Sequence, residues 1–136
     1  MKIVSAIGVL FFSLSTSFAQ DDAQKRKEAF SSGEYNVSIV RLIATPEKYH
    51  NKAVQIIGYL NLEFEGNAIY LHKDDYDNRE YKNSFWVSFS NNLDKKEIEN
   101  CNNSYVILQG IFDMGAHGHR GLFGGEIMRV TSIVKR

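Results

Sequence analysis

The stretch that decides the fold is residues 53–73, AVQIIGYLNLEFEGNAIYLHK. Apolar residues recur at every second position across residues 53–63, and a period of two is typical of a β-strand with one buried side. A tight turn at residues 65–67 leads into a second alternating segment, residues 68–73. The pattern therefore predicts two strands joined by a short turn. The residues expected on one side of the first strand are Val54, Ile56, Gly58, Leu60 and Leu62.

Three further segments of the chain also have strand patterns. They are residues 84–90, 105–113 and 126–134, and a polar excursion at residues 74–83 separates the first of them from the second strand. Residues 93–100, LDKKEIEN, have the pattern of a short amphipathic helix. Three strands, one helix and two more strands, in this order, match a five-stranded Greek-key barrel.

Two helix signals precede the first strand. Residues 37–43, VSIVRLI, have apolar positions that fit one face of a short helix better than a strand. The triplet Thr45, Pro46 and Glu47 predicts a second helix start, with Thr45 as the capping residue and Pro46 in the first turn. The predicted fold class is therefore mainly β: a five-stranded barrel of the oligonucleotide/oligosaccharide-binding (OB) type, with a short helix between strands 3 and 4 and an N-terminal helix.

Two glycines in the middle of predicted strands support a small barrel. Gly58 and Gly110 lie in the similar segments VQIIGYL and VILQGIF. Glycine weakens a strand unless the chain bends sharply there or another backbone comes close. Strongly coiled strands in a small closed sheet provide that reason.

The N-terminal segment has the pattern of an export signal. Residues 1–19 combine Lys2, an apolar run over residues 3–14, and small residues at Ser17 and Ala19 where cleavage would occur. The apolar run is shorter than the roughly 20 residues of a membrane span, so no span is expected after cleavage. An uncleaved anchor helix is the alternative. The predicted organisation is a signal peptide at residues 1–19, a polar tail at 20–36 and a barrel domain at 37–136, in the periplasm or secreted.

Charge and cysteine content exclude some classes of function. The chain has 16 basic and 16 acidic residues, and loss of Lys2 with the signal peptide would leave a net charge of −1. A protein that binds double-stranded nucleic acid normally presents a strong positive field, so that role is disfavoured. Cys101 is the single cysteine, so the chain cannot form an internal disulfide.

Three segments of the chain carry a resemblance to a known group of proteins. They are VSIVRLIATPEKYHNKAVQIIGYLNLEFEGNAIYLHKDDY at residues 37–76, KNSFWVSF at 82–89 and YVILQGIF at 105–112. The chain resembles small exported bacterial proteins with an OB-type domain and no assigned activity, over residues 37–134. The resemblance implies an OB-type fold and a bacterial envelope setting, and it carries over no catalytic residues.

The outer face of the second and third strands is the first candidate site. If the alternate residues face the core, then Tyr70, His72, Trp86 and Ser88 share the opposite face. Aromatic rings on such a face can stack on sugars or bases, at roughly 1–3 kcal/mol per stacked base. In OB barrels generally, ligands lie across these strands between the loops that join strands 1 to 2 and 4 to 5. The alternatives are a face covered by the N-terminal helix, or ordinary surface aromatics.

The glycine-rich loop at residues 114–125 is the second candidate site. His117 and His119 could offer two imidazoles to Zn²⁺ or Cu²⁺, although a structural zinc site needs four ligands and a catalytic one three. Further ligands could come from Asp113 or His72. Alternatively, Arg120 and the loop amides could contact an anionic group, or the loop could simply be mobile.

Other acidic residues and common motifs give weaker signals. Glu63 and Glu65 could act as paired carboxylates, but we expect them to be solvated. Residues 74–78, DDYDN, lack the glycine and terminal glutamate of a calcium loop. No nucleophile or phosphate-binding motif occurs in the sequence.

The sequence thus predicts a non-enzymatic binding module without a cofactor. Its partner could be a glycan, a peptide or another envelope protein, held by Tyr70, His72, Trp86, Ser88 and Arg120, with the loop at residues 114–125 closing over it. The alternative function is a metal-binding or metal-dependent protein that uses His117 and His119. A purely structural subunit is a third possibility.

Overall fold

The computed structural model describes residues 20, 21, 24 and 35–136. The chain divides into two units, Met1–Glu34 and Tyr35–Arg136, and the second contains the barrel. The predicted signal peptide, residues 1–19, and most of the predicted polar tail lie outside the described residues.

Five strands form a closed barrel, which confirms the prediction of a mainly β chain with a five-stranded barrel. In the closed order β1-β2-β3-β5-β4, all neighbours are antiparallel except β3 and β5, which are parallel. The strands are β1 (Ala53–Asn61), β2 (Ala68–Tyr70), β3 (Ser84–Phe89), β4 (Ser104–Asp113) and β5 (Glu126–Lys135).

Within residues 35–136, three short α-helices and three 3₁₀ turns lie before or between the strands. The helices are α1 (Ile39–Ala44), α2 (Lys73–Asp77) and α3 (Lys95–Asn100). The 3₁₀ turns are Pro46–Lys48, Tyr81–Asn83 and His119–Gly121. In the part of the chain that the structure describes, no helix is long and apolar enough to cross a membrane.

Side-chain caps fix where two of the helices begin. The hydroxyl of Ser38 accepts a hydrogen bond of 3.2 Å from the backbone N–H of Arg41 at the start of α1. The carboxylate of Asp94 accepts one of 3.1 Å from the backbone N–H of Lys96 at the start of α3. The predicted helix start at Thr45 is confirmed, because a 3₁₀ turn begins at Pro46 with Thr45 at its N-cap position. The Thr45 hydroxyl makes no capping hydrogen bond there and instead donates to the carbonyl of Arg41 at 3.2 Å, which stabilises the end of α1.

The barrel interior is filled by the alternate residues of the strands. Val54, Ile56 and Leu60 of β1 are fully buried, as their spacing predicts. The rings of Phe85 and Phe112 meet edge to face across the core, with centroids 5.3 Å apart. This arrangement leaves the opposite side chains of β2 and β3 outside the barrel.

The two mid-strand glycines lie where other atoms come close. A Cβ atom at Gly58 would be 2.5 Å from the carbonyl oxygen of Tyr70 and 2.8 Å from Cδ1 of Ile39. A Cβ atom at Gly110 would be 2.7 Å from Cγ2 of Ile127. Any larger residue would therefore push neighbouring strands or α1 away from the core.

Cys101 lies in the core at the end of α3. Its side chain is 6% exposed, and burial raises the pKa of the thiol. A buried thiol with a raised pKa is a poor nucleophile, which fits a packing role.

Candidate functional site

The outer face of β2 and β3 is covered, which corrects the prediction of an open aromatic face. The two strands pair as expected, with Ala68 opposite Trp86 and Tyr70 opposite Ser84. However, Tyr70 is only 3% exposed and Trp86 is half-buried. The segments that follow β2 and β4 both fold over this face.

Helix α2 covers Tyr70. The second strand was predicted to continue to residue 73, but β2 ends at Tyr70. The reason is that the Asp75 carboxylate accepts a 2.9 Å hydrogen bond from the backbone N–H of His72, and this contact starts a helix. The ring of Tyr76 then lies 5.4 Å from the ring of Tyr70 and 5.8 Å from that of Tyr59. His72 is consequently an exposed residue at the start of α2, not a member of the strand face.

Asp75 also stabilises the segment that connects β2 to β3. Its second carboxylate oxygen accepts a 2.7 Å hydrogen bond from the side-chain amide of Asn83. The backbone N–H of Leu71 donates to the carbonyl of Asn83 at 2.9 Å. The segment predicted as a polar excursion therefore returns to the barrel with a defined path.

The loop between β4 and β5 covers Trp86. The Phe123 ring lies 5.4 Å from the Trp86 ring and 5.6 Å from the Tyr81 ring, both edge to face. The Nδ1 atom of His117 is 3.0 Å from the carbonyl oxygen of Phe123. Trp86 is thus shielded by the loop that was predicted to close over a ligand.

Ser88 is half-buried on β3. Its hydroxyl donates a short hydrogen bond to the carboxylate of Glu126, which joins β3 to β5. Contact between Ser88 and a ligand stays a prediction.

A cavity of about 600 Å³ opens beside this covered face. The loop between β1 and β2 provides one side, with Glu63, Phe64 and Glu65. Helix α2 and the residues after it provide another, with Tyr76, Asp77 and Arg79. We call this cavity the loop cleft.

The loop between β4 and β5 completes the loop cleft. It contributes His119, Arg120 and Leu122. The buried rings of Tyr70 and Phe123 also line the cleft, with Tyr81 beside them. Of the predicted ligand residues, Tyr70 and Arg120 are thus brought together, whereas His72, Trp86 and Ser88 do not line the cleft.

The carboxylates of the loop cleft differ in their partners. Asp77 accepts a 2.6 Å contact from the ammonium of Lys73 and is neutralised by it. Glu63 accepts a 2.8 Å hydrogen bond from the hydroxyl of Tyr76, which carries no charge. Glu65 lies 3.9 Å from Nε2 of His119.

Burial and the nearby Glu63 raise the pKa values of two tyrosines of the cleft, Tyr70 and Tyr76. Burial raises the pKa of Tyr70, and the nearby Tyr81 and Glu63 raise it further. The hydrogen bond to Glu63 is the largest cause of the raised pKa of Tyr76. Both phenols are therefore neutral hydrogen-bonding groups around neutral pH.

Three charged residues of the cleft have left-handed backbone conformations. The φ angles are 57° for Glu65, 58° for Arg79 and 60° for Arg120. This region disfavours residues that carry a Cβ, and such strain is often found at functional sites. The surrounding fold therefore holds the backbone at these three positions at some cost in stability.

The predicted metal residues contact different groups. His117 faces the carbonyl of Phe123 and His119 faces Glu65. The suggested extra ligand Asp113 lies 3.5 Å from His50. Across the described residues, no group of three or more His, Cys, Asp or Glu side chains could hold a metal ion. Metal binding by His117 and His119 stays a prediction.

Several residues of the cleft were missed from the sequence. Phe64 is 95% exposed at the turn after β1, and its position between Glu63 and Glu65 is the feature of the sequence that indicates an exposed aromatic ring. Tyr76 and Arg79 lie in the segment read as a polar excursion. Glu63 and Glu65 were considered only as a catalytic pair or as solvated side chains.

A comparison of the chain with models of protein families gave no match, and a comparison with curated proteins gave none. The geometry of the loop cleft therefore has to carry the functional argument.

Proposed function

We propose that this protein is a non-enzymatic binding module that holds its ligand in the loop cleft. One observation carries the proposal: the loops after β1 and β4 and helix α2 border a half-open cavity of about 600 Å³ lined by aromatic and charged side chains. Small-ligand sites commonly measure about 300–1,000 Å³ and combine aromatic surface with a few polar groups.

The strand order supports an OB-type barrel. The order β1-β2-β3-β5-β4, the parallel pairing of β3 with β5 and the helix α3 between β3 and β4 all agree with this type. OB barrels bind ligands over strands 2 and 3, between the loops that join strands 1 to 2 and 4 to 5. The loop cleft lies between the equivalent loops here, which supports a ligand site by analogy.

Binding is proposed in preference to catalysis because of how the carboxylates are used. Asp77 is paired with Lys73, and Glu63 is hydrogen-bonded to Tyr76. A general acid or base must present a free proton site to its substrate. These contacts are better suited to shaping the cleft than to proton transfer.

The proposed location is the bacterial periplasm or the cell exterior, on the basis of the signal pattern in residues 1–19. The ligand would then come from the envelope or its surroundings. A glycan, a peptide or a segment of an envelope protein fits this location.

The experiment uses Trp86, which is the single tryptophan of the chain. Its ring contacts Phe123, a residue that lines the cleft, so a bound ligand should alter its emission. Short glycans, oligonucleotides and peptides are titrated and followed by fluorescence and calorimetry. We expect at least one class to bind.

Matched variants identify the surface that binds. Phe64→Ala and Leu122→Ala remove exposed apolar surface from the cleft, whereas Val134→Ala removes a comparable exposed side chain on β5. Binding should weaken in the first two variants and not in the third. If no probe binds, or if all three variants bind alike, the loop cleft is not the ligand site.

A further inference from the structure

Charges of opposite sign line the loop cleft without neutralising one another. Glu63 and Glu65 are on the loop after β1, whereas Arg79 follows α2 and Arg120 belongs to the loop after β4. Within residues 35–136, no ion pair joins either arginine to a carboxylate. All four side chains are exposed, so their charges are accessible to a ligand.

The carboxylates and the guanidinium groups belong to different segments of the chain. Glu63 and Glu65 share the loop after β1, and the hydroxyl of Tyr76 donates a 2.8 Å hydrogen bond to Glu63. Arg79 and Arg120 lie on the two other segments that line the cleft. The cleft therefore offers a ligand an anionic region on one loop and cationic groups on two other segments.

We propose that the ligand is a zwitterion, namely a short peptide with free termini. This inference rests on the proposed function. The peptide carboxylate contacts the guanidinium groups of Arg79 and Arg120, which match its planar shape. The peptide ammonium contacts Glu63 and Glu65.

Aromatic groups next to the carboxylates favour an ammonium there. Tyr70 and Tyr76 line the same cleft as Glu63, and the negative charge of Glu63 contributes to the raised pKa of both phenols. A cation gains from a nearby carboxylate and from an aromatic ring, and of these two rings only that of Tyr76 is partly exposed. Phe64 and Leu122 are exposed apolar side chains that can contact the side chains of the peptide.

A peptide uses more of the cleft than a sugar does. A neutral glycan would leave both charged regions without a counter-charge, and an acidic glycan would use only the arginines. A peptide with free ends is matched to both regions and also supplies apolar side chains. The observations therefore favour a peptide over a neutral or an acidic glycan.

The test compares four forms of one tripeptide by calorimetry on the chain from residue 20 onwards. They are trialanine with both ends free, its C-terminal amide, its N-acetyl form and the doubly blocked form. The same four forms of alanyl-leucyl-alanine control for the choice of side chain. Blocking either end should weaken binding at least about tenfold, equivalent to about 1.4 kcal/mol.

Variants assign each end of the peptide to its region. The Arg79→Gln/Arg120→Gln double variant should bind the free acid and the amide alike. The Glu63→Gln/Glu65→Gln double variant should bind the free amine and the acetylated form alike. Arg129→Gln is the matched control, since Arg129 also has a left-handed φ of 51° and lies on β5 outside the cleft.

Contrary outcomes separate this inference from the proposed function. Equal binding of free and blocked peptides, or binding of chitotriose or galacturonic acid trimer with none of any tripeptide, would overturn the zwitterion and leave the binding module intact. A preference for free ends that survives in both double variants would overturn the assignment to the loop cleft. If no peptide, glycan or oligonucleotide binds, both proposals fail.

Discussion

The hydroxyl of Tyr76 donates a 2.8 Å hydrogen bond to Oε1 of Glu63, and this contact joins helix α2 to the loop after β1. The same ring lies 5.4 Å from Tyr70. One side chain therefore covers the outer face of β2 and also forms part of the loop cleft. The stability of α2 on the barrel and the shape of the cleft are consequently linked.

Replacing Tyr76 with phenylalanine should loosen that link. Tyr76→Phe keeps the ring contacts but removes the hydrogen bond to Glu63, and we expect the free energy of unfolding to fall by about 1 kcal/mol in urea titrations. Tyr49→Phe is the control, because the Tyr49 hydroxyl has no hydrogen-bond partner among the residues that the structure describes. Equal stability of the two variants would contradict a stabilising role for the contact.

Tyr70 should make the protein less stable at alkaline pH. The folded state raises the pKa of Tyr70 above its ordinary value of about 10, so the unfolded state releases the proton first. The free energy of unfolding is unaffected below pH 10 and falls as pH rises above it, by at most about 1.4 kcal/mol per pH unit for this one group. Urea unfolding between pH 8 and 11.5 should show a smaller decline for Tyr70→Phe. The same decline in both proteins would rule out this cause.

Gly118 allows the loop after β4 to pack closely against Trp86. It has φ of 60° and ψ of −158°, and a Cβ atom there would lie 2.6 Å from Cε3 of Trp86. Gly118→Ala should therefore cost more than the roughly 1–3 kcal/mol of backbone strain and should shift the Trp86 emission.

Gly121→Ala is the matched control for Gly118. Gly121 also has a positive φ, 66°, but no atom lies within 4 Å of the position of its Cβ. This variant should show the cost of strain alone and leave the emission unchanged. If the two variants lose equal stability, contact with Trp86 does not determine the loop position.

Zinc titration tests the metal alternative. We expect the wild type and a His117→Ala/His119→Ala variant to give the same calorimetric curve, because the two imidazoles face Phe123 and Glu65, respectively. A site for Zn²⁺ normally needs at least three protein ligands. Tight binding that the variant loses would instead support a metal-dependent function.

The export prediction is tested by the mature N-terminus. Expression in a Gram-negative host followed by mass spectrometry of the periplasmic fraction should give a chain that begins at Gln20. Ala19→Arg places a large charged residue at the cleavage position and should abolish processing. A chain that keeps residues 1–19 in the wild type would favour the anchor alternative.

Alternation in the sequence was sufficient to predict much of the barrel. Val54, Ile56 and Leu60 are buried because a strand of period two must place them on one side. The end of β2 was not predictable in the same way. Tyr70 and His72 continue the alternation, yet the Asp75 carboxylate accepts the N–H of His72 and converts the segment into a helix start. The hydrogen bond from His72 to Asp75, three residues later, therefore determines the local structure, although the alternation of apolar residues predicts a strand.

The candidate site depended even more on tertiary contacts. Arg120 and the loop after β4 were anticipated as ligand-binding, whereas Tyr76 and Arg79 were not, because their segment has no apolar period. The position of Tyr76 follows from contacts with Tyr70 and Glu63, which are 6 and 13 residues away from it in sequence. Arg79 follows Tyr76, and its backbone N–H donates to the carbonyl of Tyr76 at 3.1 Å. Such contacts become visible only after the strands have paired.

The sequence by itself determined the strands, their buried faces and the presence of a barrel, because backbone geometry and the hydrophobic effect act on local patterns. Only the tertiary structure decided that the outer face of β2 and β3 is covered and that a cleft lies beside it. The physical reason is that this cover is built from side-chain contacts between separate loops. Neither the ring packing of Tyr76 and Phe123 nor the left-handed backbones of Arg79 and Arg120 leave a period in the sequence.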